Sequence, residues 1–260
     1  MSGGVAVDWS LDGKVAIITG AAPGGIGETY ARTLATAGAA VVCADIRADG
    51  AAQVAAGLEA DGHRAIGVGV DITDPDSVEA MTSTAAATFG GVDVLVNNAA
   101  LMATVHPGPV LECDYAHWKH VMDVNLNGAY LCSRSAVPHM RERGGGRIVN
   151  QTSGGAYPPS TLYGITKLAL VGLNTTLARE LGPSRITVNA IAPGLVESEA
   201  GKELVPEGSQ FREMIKQVIA MQPFAPPEEL AGTLLLLTTP AGKWITGQVI
   251  HVDGGWILRP

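Results

Sequence analysis

The 260-residue chain carries 17 basic and 25 acidic side chains, a formal charge of -8 at pH 7, and is 47% apolar. These values suit one α/β domain over residues 1–260 with a sizeable core, and the acidic balance excludes nucleic acid and anionic membranes as expected partners. The odd, widely spaced Cys43, Cys113 and Cys132 point to neither a disulfide framework nor a metal site; with no apolar run near about 18 residues and no signal-peptide pattern, a soluble cytoplasmic protein is expected.

In chain order, the first predicted strand is KVAIIT at 14–19, a continuous apolar run bounded by turn residues, as in a strand buried on both faces. A helical pattern follows at 26–37, then a strand at 40–45, a helix at 50–60, a strand at 64–70 and a helix at 75–89. The series continues with a strand at 92–97, one long helix at 114–143, a strand at 147–152, a helix at 161–181 and a strand at 185–191. A helix at 227–237 and a strand at 248–252 complete it. Alternation of this kind predicts right-handed βαβ crossovers and a doubly wound sheet of seven mainly parallel strands, with helices on both faces. Residues 193–226 form the longest stretch without a strand and are expected to make a substrate loop or lid; within them Phe211, Met214, Ile215, Val218 and Ile219 repeat at helical spacing.

Thr19-Gly20-Ala21-Ala22-Pro23-Gly24-Gly25-Ile26-Gly27 joins the first strand to the first helix. Glycines permit a tight turn and close backbone approach, and the free N–H groups at a helix start attract a dinucleotide's phosphates. Asp45 ends the second strand 18 residues after Gly27, near the spacing at which a carboxylate meets the adenosine ribose. The same carboxylate repels a 2′-phosphate, so NAD is expected over NADP, with Arg47 as the competing feature. Tyr163 and Lys167 stand four apart on one face of the 161–181 helix, where a cation favours the phenolate.

With these motifs in place, the sequence resembles the short-chain dehydrogenase/reductase family, which pairs a glycine-rich loop with Tyr-x-x-x-Lys, and the resemblance covers nearly the whole chain. It implies a single Rossmann-like domain and a homotetramer. Gly20, Gly25, Ile26 and Gly27 would then cradle the cofactor, with Gly24 the alternative to Gly25 because the loop is one residue longer than usual. Asp71 and Ile72 match the pair at the adenine ring, and Asn98 and Ala99 belong to the NNAG-like segment, in which Ala100 replaces the last glycine. Asn125 matches the asparagine that holds a water of the proton relay, and Ser153 the serine that orients the substrate oxygen. Pro193, Gly194, Val196 and Ser198 resemble PGxxxT, which holds the nicotinamide carboxamide. Ser153 and Tyr163 lie only 10 residues apart, which shortens the loop over the pocket.

The activity so implied is an NAD-dependent interconversion of a secondary alcohol and a ketone on a small to medium apolar substrate, cyclic or steroid-like. Tyr163 would be the acid or base and Lys167 would lower its pKa and hold the nicotinamide ribose. Two rival classes are a reductase of carrier-bound 3-oxoacyl thioesters, disfavoured by the acidic chain, and a non-catalytic nucleotide-binding scaffold, disfavoured because Ser153, Tyr163 and Lys167 are all present. The six histidines, Tyr157 and the glutamates at 197, 199, 203 and 207 read as packing, pocket wall and solvated surface.

Overall fold

The computed structural model describes residues 7–221 and 224–258. The apolar runs form β1 (Val15–Thr19), β2 (Ala40–Asp45), β3 (Ala65–Gly69), β4 (Val94–Asn97), β5 (Gly146–Gln151), β6 (Ile186–Pro193) and β7 (Val249–Val252). All pair in parallel in the order β3-β2-β1-β4-β5-β6-β7. Helices α1 (Ile26–Thr36), α2 (Ala48–Ala60), α3 (Pro75–Phe89), α4 (Tyr115–Met122), α5 (Gly128–Glu142), α6 (Leu162–Leu181), α7 (Glu199–Leu204), α8 (Gln210–Val218) and α9 (Ala231–Thr238) connect or flank them.

Alternate residues of the central strands enter opposite cores. Ala16, Ile18, Val41, Val96 and Val149 pack with Tyr30 and Leu34 of α1 and Leu234 and Leu237 of α9. Ile17, Val42, Leu95 and Ile148 face α3 and α5 through Val78, Met81, Cys132 and Met140. Helices on both faces leave the strand ends as the places where ligands can approach. Since the chain winds from β1 out to β3 and then returns to β4 on the other side, the crevice expected at such a reversal lies beyond the carboxyl ends of β1 and β4.

The single helix expected over 114–143 is instead α4 and α5 joined by a π-helical segment, Asp123–Asn127. The extra residue in that turn brings Asn125 inward. Its side chain accepts from Leu101 N–H at 2.7 Å and donates to Leu101 C=O at 2.9 Å and Thr166 Oγ1 at 3.2 Å. The loop after β4 is thereby tied to α6. Beneath the crevice a row of buried amides crosses the sheet: Asn97 Nδ2 donates to Ser133 and Asn150, and Asn150 Nδ2 to Asn174. These hydrogen bonds between buried amides help to fix strand register, although Asn97 Oδ1 is itself left without a partner.

Candidate active site

Side chains of neighbouring strands fix the backbone of the loop after β1. Thr19 Oγ1 accepts from the N–H groups of Asn98 and Ala99, and Asn98 Nδ2 donates to the carbonyls of Thr19 and Gly20 at 2.9 and 3.0 Å. Gly20 has φ +69°, and a Cβ there would lie 2.8 Å from Ala99 Cα; a Cβ on Gly27 would lie 2.1 Å from Gly20 O. No side chain larger than hydrogen fits at either place. The left-handed residue in the middle of the loop is Gly24, φ +84°, whereas Gly25 is extended and caps α1. Gly25 and Ile26 therefore present the first free helical N–H groups, and Gly24 supplies the bend that the longer loop requires.

Asp45, nearly buried at the end of β2, accepts from Ala22 N–H at 3.0 Å and Arg47 N–H at 2.9 Å. The Arg47 guanidinium lies back against it, at 3.7 Å, with most of its side chain in solvent. Asp71, after β3, accepts from the N–H and hydroxyl of Thr73, which hold its carboxyl below the ordinary range. Ile72 packs where a Cβ on Gly128 would sit, 2.6 Å from its Cδ1.

At the other side of the crevice Thr161 caps α6, accepting from Gly164 N–H at 3.1 Å, and this starts the helix so that Tyr163 and Lys167 point inward one turn apart. Lys167 is buried and Tyr163 partly buried. Ser153 stands beside Tyr163 beyond the end of β5 and accepts from Gly155 N–H at 3.1 Å. Burial pushes the Tyr163 phenol up to about 12, with Ser153 opposing the rise. Lys167 Nζ donates to Gln151 C=O at 2.8 Å and lies 5.5 Å from the Tyr163 ring centroid. Burial brings Lys167 down to about 7. The structure thus joins Ser153, Tyr163 and Lys167, with Asn125 linked to them through Thr166, the neighbour of Lys167 in the chain.

Pro193 and Gly194 leave β6 against the C-terminal segment: Gly194 N–H donates to Val252, and a Cβ on Gly194 would lie 2.7 Å from Asp253 Cα. Val196 bridges Ala225, and the buried Ser198 caps α7 by accepting from Gly201 N–H at 3.1 Å. The segment expected to form a lid contains α7 and α8. Arg212 of α8 fastens it, stacking 3.6 Å from the Phe224 ring centroid and standing 3.5 Å from Glu197.

Several residues at the site carry no obvious mark in the sequence. Gln151 receives Lys167 on its carbonyl and Tyr30 OH, at 2.7 Å, on its side chain; desolvation raises the Tyr30 phenol far above its ordinary range. Only the pairing of β5 with the inward face of α1 brings them together. Tyr157 lies 5.5 Å from the His251 ring, and Trp256 covers Gly154, so the C-terminal segment walls the pocket beside Ser153. Glu199, expected on a solvated face, places its carboxylate beside Gly24, while its N–H donates to Gly24 C=O at 3.1 Å. Among the described residues no three potential metal-ligating side chains cluster.

A family model described as enoyl-(acyl carrier protein) reductase matches residues 20–257. An uncharacterized oxidoreductase of Mycobacterium tuberculosis is 48% identical over 249 residues, 96% of this chain and 99% of that protein. A 3-oxoacyl-[acyl-carrier-protein] reductase of Thermotoga maritima is 34% identical, covering 95% of this chain and 99% of its own. The solved structure of a 7α-hydroxysteroid dehydrogenase, complexed with NADH and 7-oxo glycochenodeoxycholic acid, superimposes with a TM-score of 0.88 at 34% identity over 95% of this chain and 96% of that one. The chain belongs to the short-chain dehydrogenase/reductase family and is an oxidoreductase of that family.

Proposed function

We propose that the protein is an NAD-dependent oxidoreductase that interconverts a secondary alcohol and a ketone on a small to medium apolar substrate of cyclic or steroid-like shape. The observation that carries this reading is Ser153 set beside Tyr163 with the buried Lys167 one helical turn away, together with a loop that admits only glycine at 20 and 27. The loop fits a dinucleotide: Gly20, Gly24, Gly25, Ile26 and Gly27 would hold the pyrophosphate, Asp45 the adenosine ribose, and Asp71 and Ile72 the adenine. Asn98 and Ala99 would line the middle of the cofactor, and Pro193, Gly194, Val196 and Ser198 its nicotinamide end. When bound, the cofactor accepts or supplies the hydride.

The protein's own part is to position the substrate and move its proton. Ser153 donates to or accepts from the substrate oxygen and aligns it with Tyr163. In the reductive direction the Tyr163 O–H gives its proton to the developing alkoxide; in the oxidative direction the phenolate removes the alcohol proton. Protonated Lys167 stabilises that phenolate and would also hold the nicotinamide ribose. Lys167 at about 7 makes the charge on this ammonium responsive to bound anions near neutral pH. Asn125, holding the Leu101 loop beside α6, keeps the relay side of the pocket in place.

Cofactor choice rests on Asp45. Turning it aside to admit a 2′-phosphate gives up two hydrogen bonds from Ala22 and Arg47, and leaving it in place sets two anions together, a juxtaposition costing several kcal/mol. NAD is therefore expected to exceed NADP by about a hundredfold in kcat/KM, as about 1.4 kcal/mol is tenfold. Exposed Phe211, Met214, Val218 and Met221 on the lid support an apolar substrate. A panel of cyclic alcohols, hydroxysteroids and acyl thioesters, assayed with each cofactor, tests the whole reading. Preference for the thioesters moves it to the carrier-linked class, equal use of NAD and NADP removes the role given to Asp45, and no turnover with any of them removes the activity.

A homotetramer in the cytoplasm accords with three free cysteines, a half-buried edge strand β7, and large exposed apolar residues Leu111, Tyr115, Tyr130 and Leu168 around α4, α5 and α6. Among the described residues no helix is long and apolar enough to cross a membrane. Sedimentation of an active monomer would contradict the assembly.

A further inference from the structure

At the amino ends of β1, β4, β5 and β6, opposite the crevice, lies a groove of about 860 Å³. Lys14, Arg143, Arg147, Arg185 and Lys243 line it against one acid, Asp93, although the chain as a whole carries a charge of -8. Asp93 is already engaged: it pairs with Lys14 at 3.2 Å and Arg143 at 3.1 Å and accepts from Val15 N–H at 3.0 Å. Among the described residues, no carboxylate pairs with Arg147, Arg185 or Lys243.

Two buried polar groups in the groove wall also lack partners. Arg147 and Thr187 face each other in register across β5 and β6, so their side chains emerge side by side on one face of the sheet. Arg147 Nε and Thr187 Oγ1 are both buried without a hydrogen bond, and Thr187 is only 8% exposed. A half-buried guanidinium without an anion and a buried hydroxyl without a partner each carry an uncompensated desolvation cost. Arg147 Nη1 is already engaged, donating to Gly146 C=O at 3.0 Å, and an oxyanion admitted between the two side chains would offset the remaining cost, the planar guanidinium matching a phosphoryl group.

We propose that this groove is a second ligand site, which takes a small phosphate-bearing anion on Arg147 and Thr187 with Arg185 and Lys243 as the surrounding cations. Trp244, 96% exposed beside Lys243, offers a flat surface on which a nucleotide base would stack.

The test is calorimetric titration of the full chain at low salt with inorganic pyrophosphate and, separately, with ADP. Each titration is run without and with excess NAD and NADP, so that a site in the crevice, which the cofactors fill, is told from one that the groove substitutions weaken. The expected result is one added anion per chain. Replacing Arg147→Gln together with Lys243→Gln should weaken it by about tenfold or more, since each substitution removes a charge-assisted contact. Lys243→Gln alone, at an exposed position, should weaken it measurably without disturbing the fold. ADP binding tighter than pyrophosphate, with quenched fluorescence that Trp244→Phe abolishes, identifies the ligand as a nucleotide; pyrophosphate binding as tightly as ADP identifies a free anion. Failure of both probes to bind, or binding that all these substitutions leave unchanged, overturns the proposal.

Discussion

The loop between β1 and α1 and the 193–226 segment, which we propose as a lid, meet at Gly24 and Glu199, yet they are held in different ways. Around the loop, Thr19, Asn98 and Asp45 supply hydrogen bonds to backbone groups, and two glycines touch neighbouring backbone too closely to admit a methyl group. The 193–226 segment is tied by the Val196–Ala225 bridge, by backbone hydrogen bonds from Glu199 to Gly24 and from Met221 to Gly254, and by buried Val205, Ile215 and Ile219, while Arg212 of α8 adds side-chain contacts to Phe224 and Glu197. A site that recognises an invariant cofactor can be rigid in every atom. One that admits a substrate has to open, and side-chain contacts such as those of Arg212 are a fastening that can be released.

The most severe way to break the fixed side of this contrast is Tyr163→Phe. Turnover should fall by about 10²–10⁴-fold, the range of a lost general acid or base, while cofactor affinity changes little. Turnover within tenfold of the parent enzyme would remove Tyr163 from the chemistry. Next in size is Gly27→Ala. Its methyl would stand 2.1 Å from Gly20 O, so the loop must shift, costing about 1–3 kcal/mol as an overpacked site does and weakening cofactor binding with it. Thermal unfolding and cofactor titration both read this; an unchanged pair of values would show that the loop is less rigid than its contacts imply.

The strands were legible because a sheet covered on both faces demands unbroken apolar runs, and the predicted ends fall within about two residues of those observed. The Tyr163–Lys167 pair was legible from spacing, since four residues on a helix is one turn, whereas Ser153 came only from the resemblance to the family. What escaped depends on packing between distant segments. The π segment at Asn125 adds one residue that helical periodicity cannot register, and its cause is the bond to Leu101, 24 positions away. Glu199 is the exposed acid that its surroundings in the sequence suggest, but only the fold shows that its carboxylate lies beside Gly24. Gly24 and Gly25 are indistinguishable in sequence and separate only by φ, +84° against −108°. The phenol was expected to be lowered by Lys167; in the ligand-free protein burial raises it instead, and Ser153 is the group that opposes the rise.

A smaller effect sharpens the same contrast through Lys167. Its pKa falls from the ordinary 10.5 to about 7 on folding, so between those values the unfolded chain binds more protons than the folded one. Stability of the ligand-free protein should therefore rise as pH increases from about 7 towards 10, and Lys167→Met should flatten that part of the profile. Denaturant midpoints across this range decide it; a slope unchanged in the variant would assign the pH dependence to other groups.

The smallest expected effect lies at the lid. Arg212→Ala removes the stack on Phe224 and the ion pair with Glu197, contacts together worth about 1 kcal/mol or slightly more at a partly exposed position. Since neither contact reaches the Ser153–Tyr163–Lys167 group, kcat should stay within about twofold while KM for the alcohol or ketone rises by about fivefold, the arithmetic of 1 kcal/mol spent on closing the lid. Limited proteolysis should show faster cleavage within α7 and α8 and no new cuts near the glycine loop. Arg212→Lys keeps the charge and loses the planar stack, so it should recover only part of the KM. A variant whose kcat collapses with unchanged KM would mean that the lid helps to build the catalytic group itself, and the division between a fixed cofactor side and a releasable substrate side would have to be abandoned.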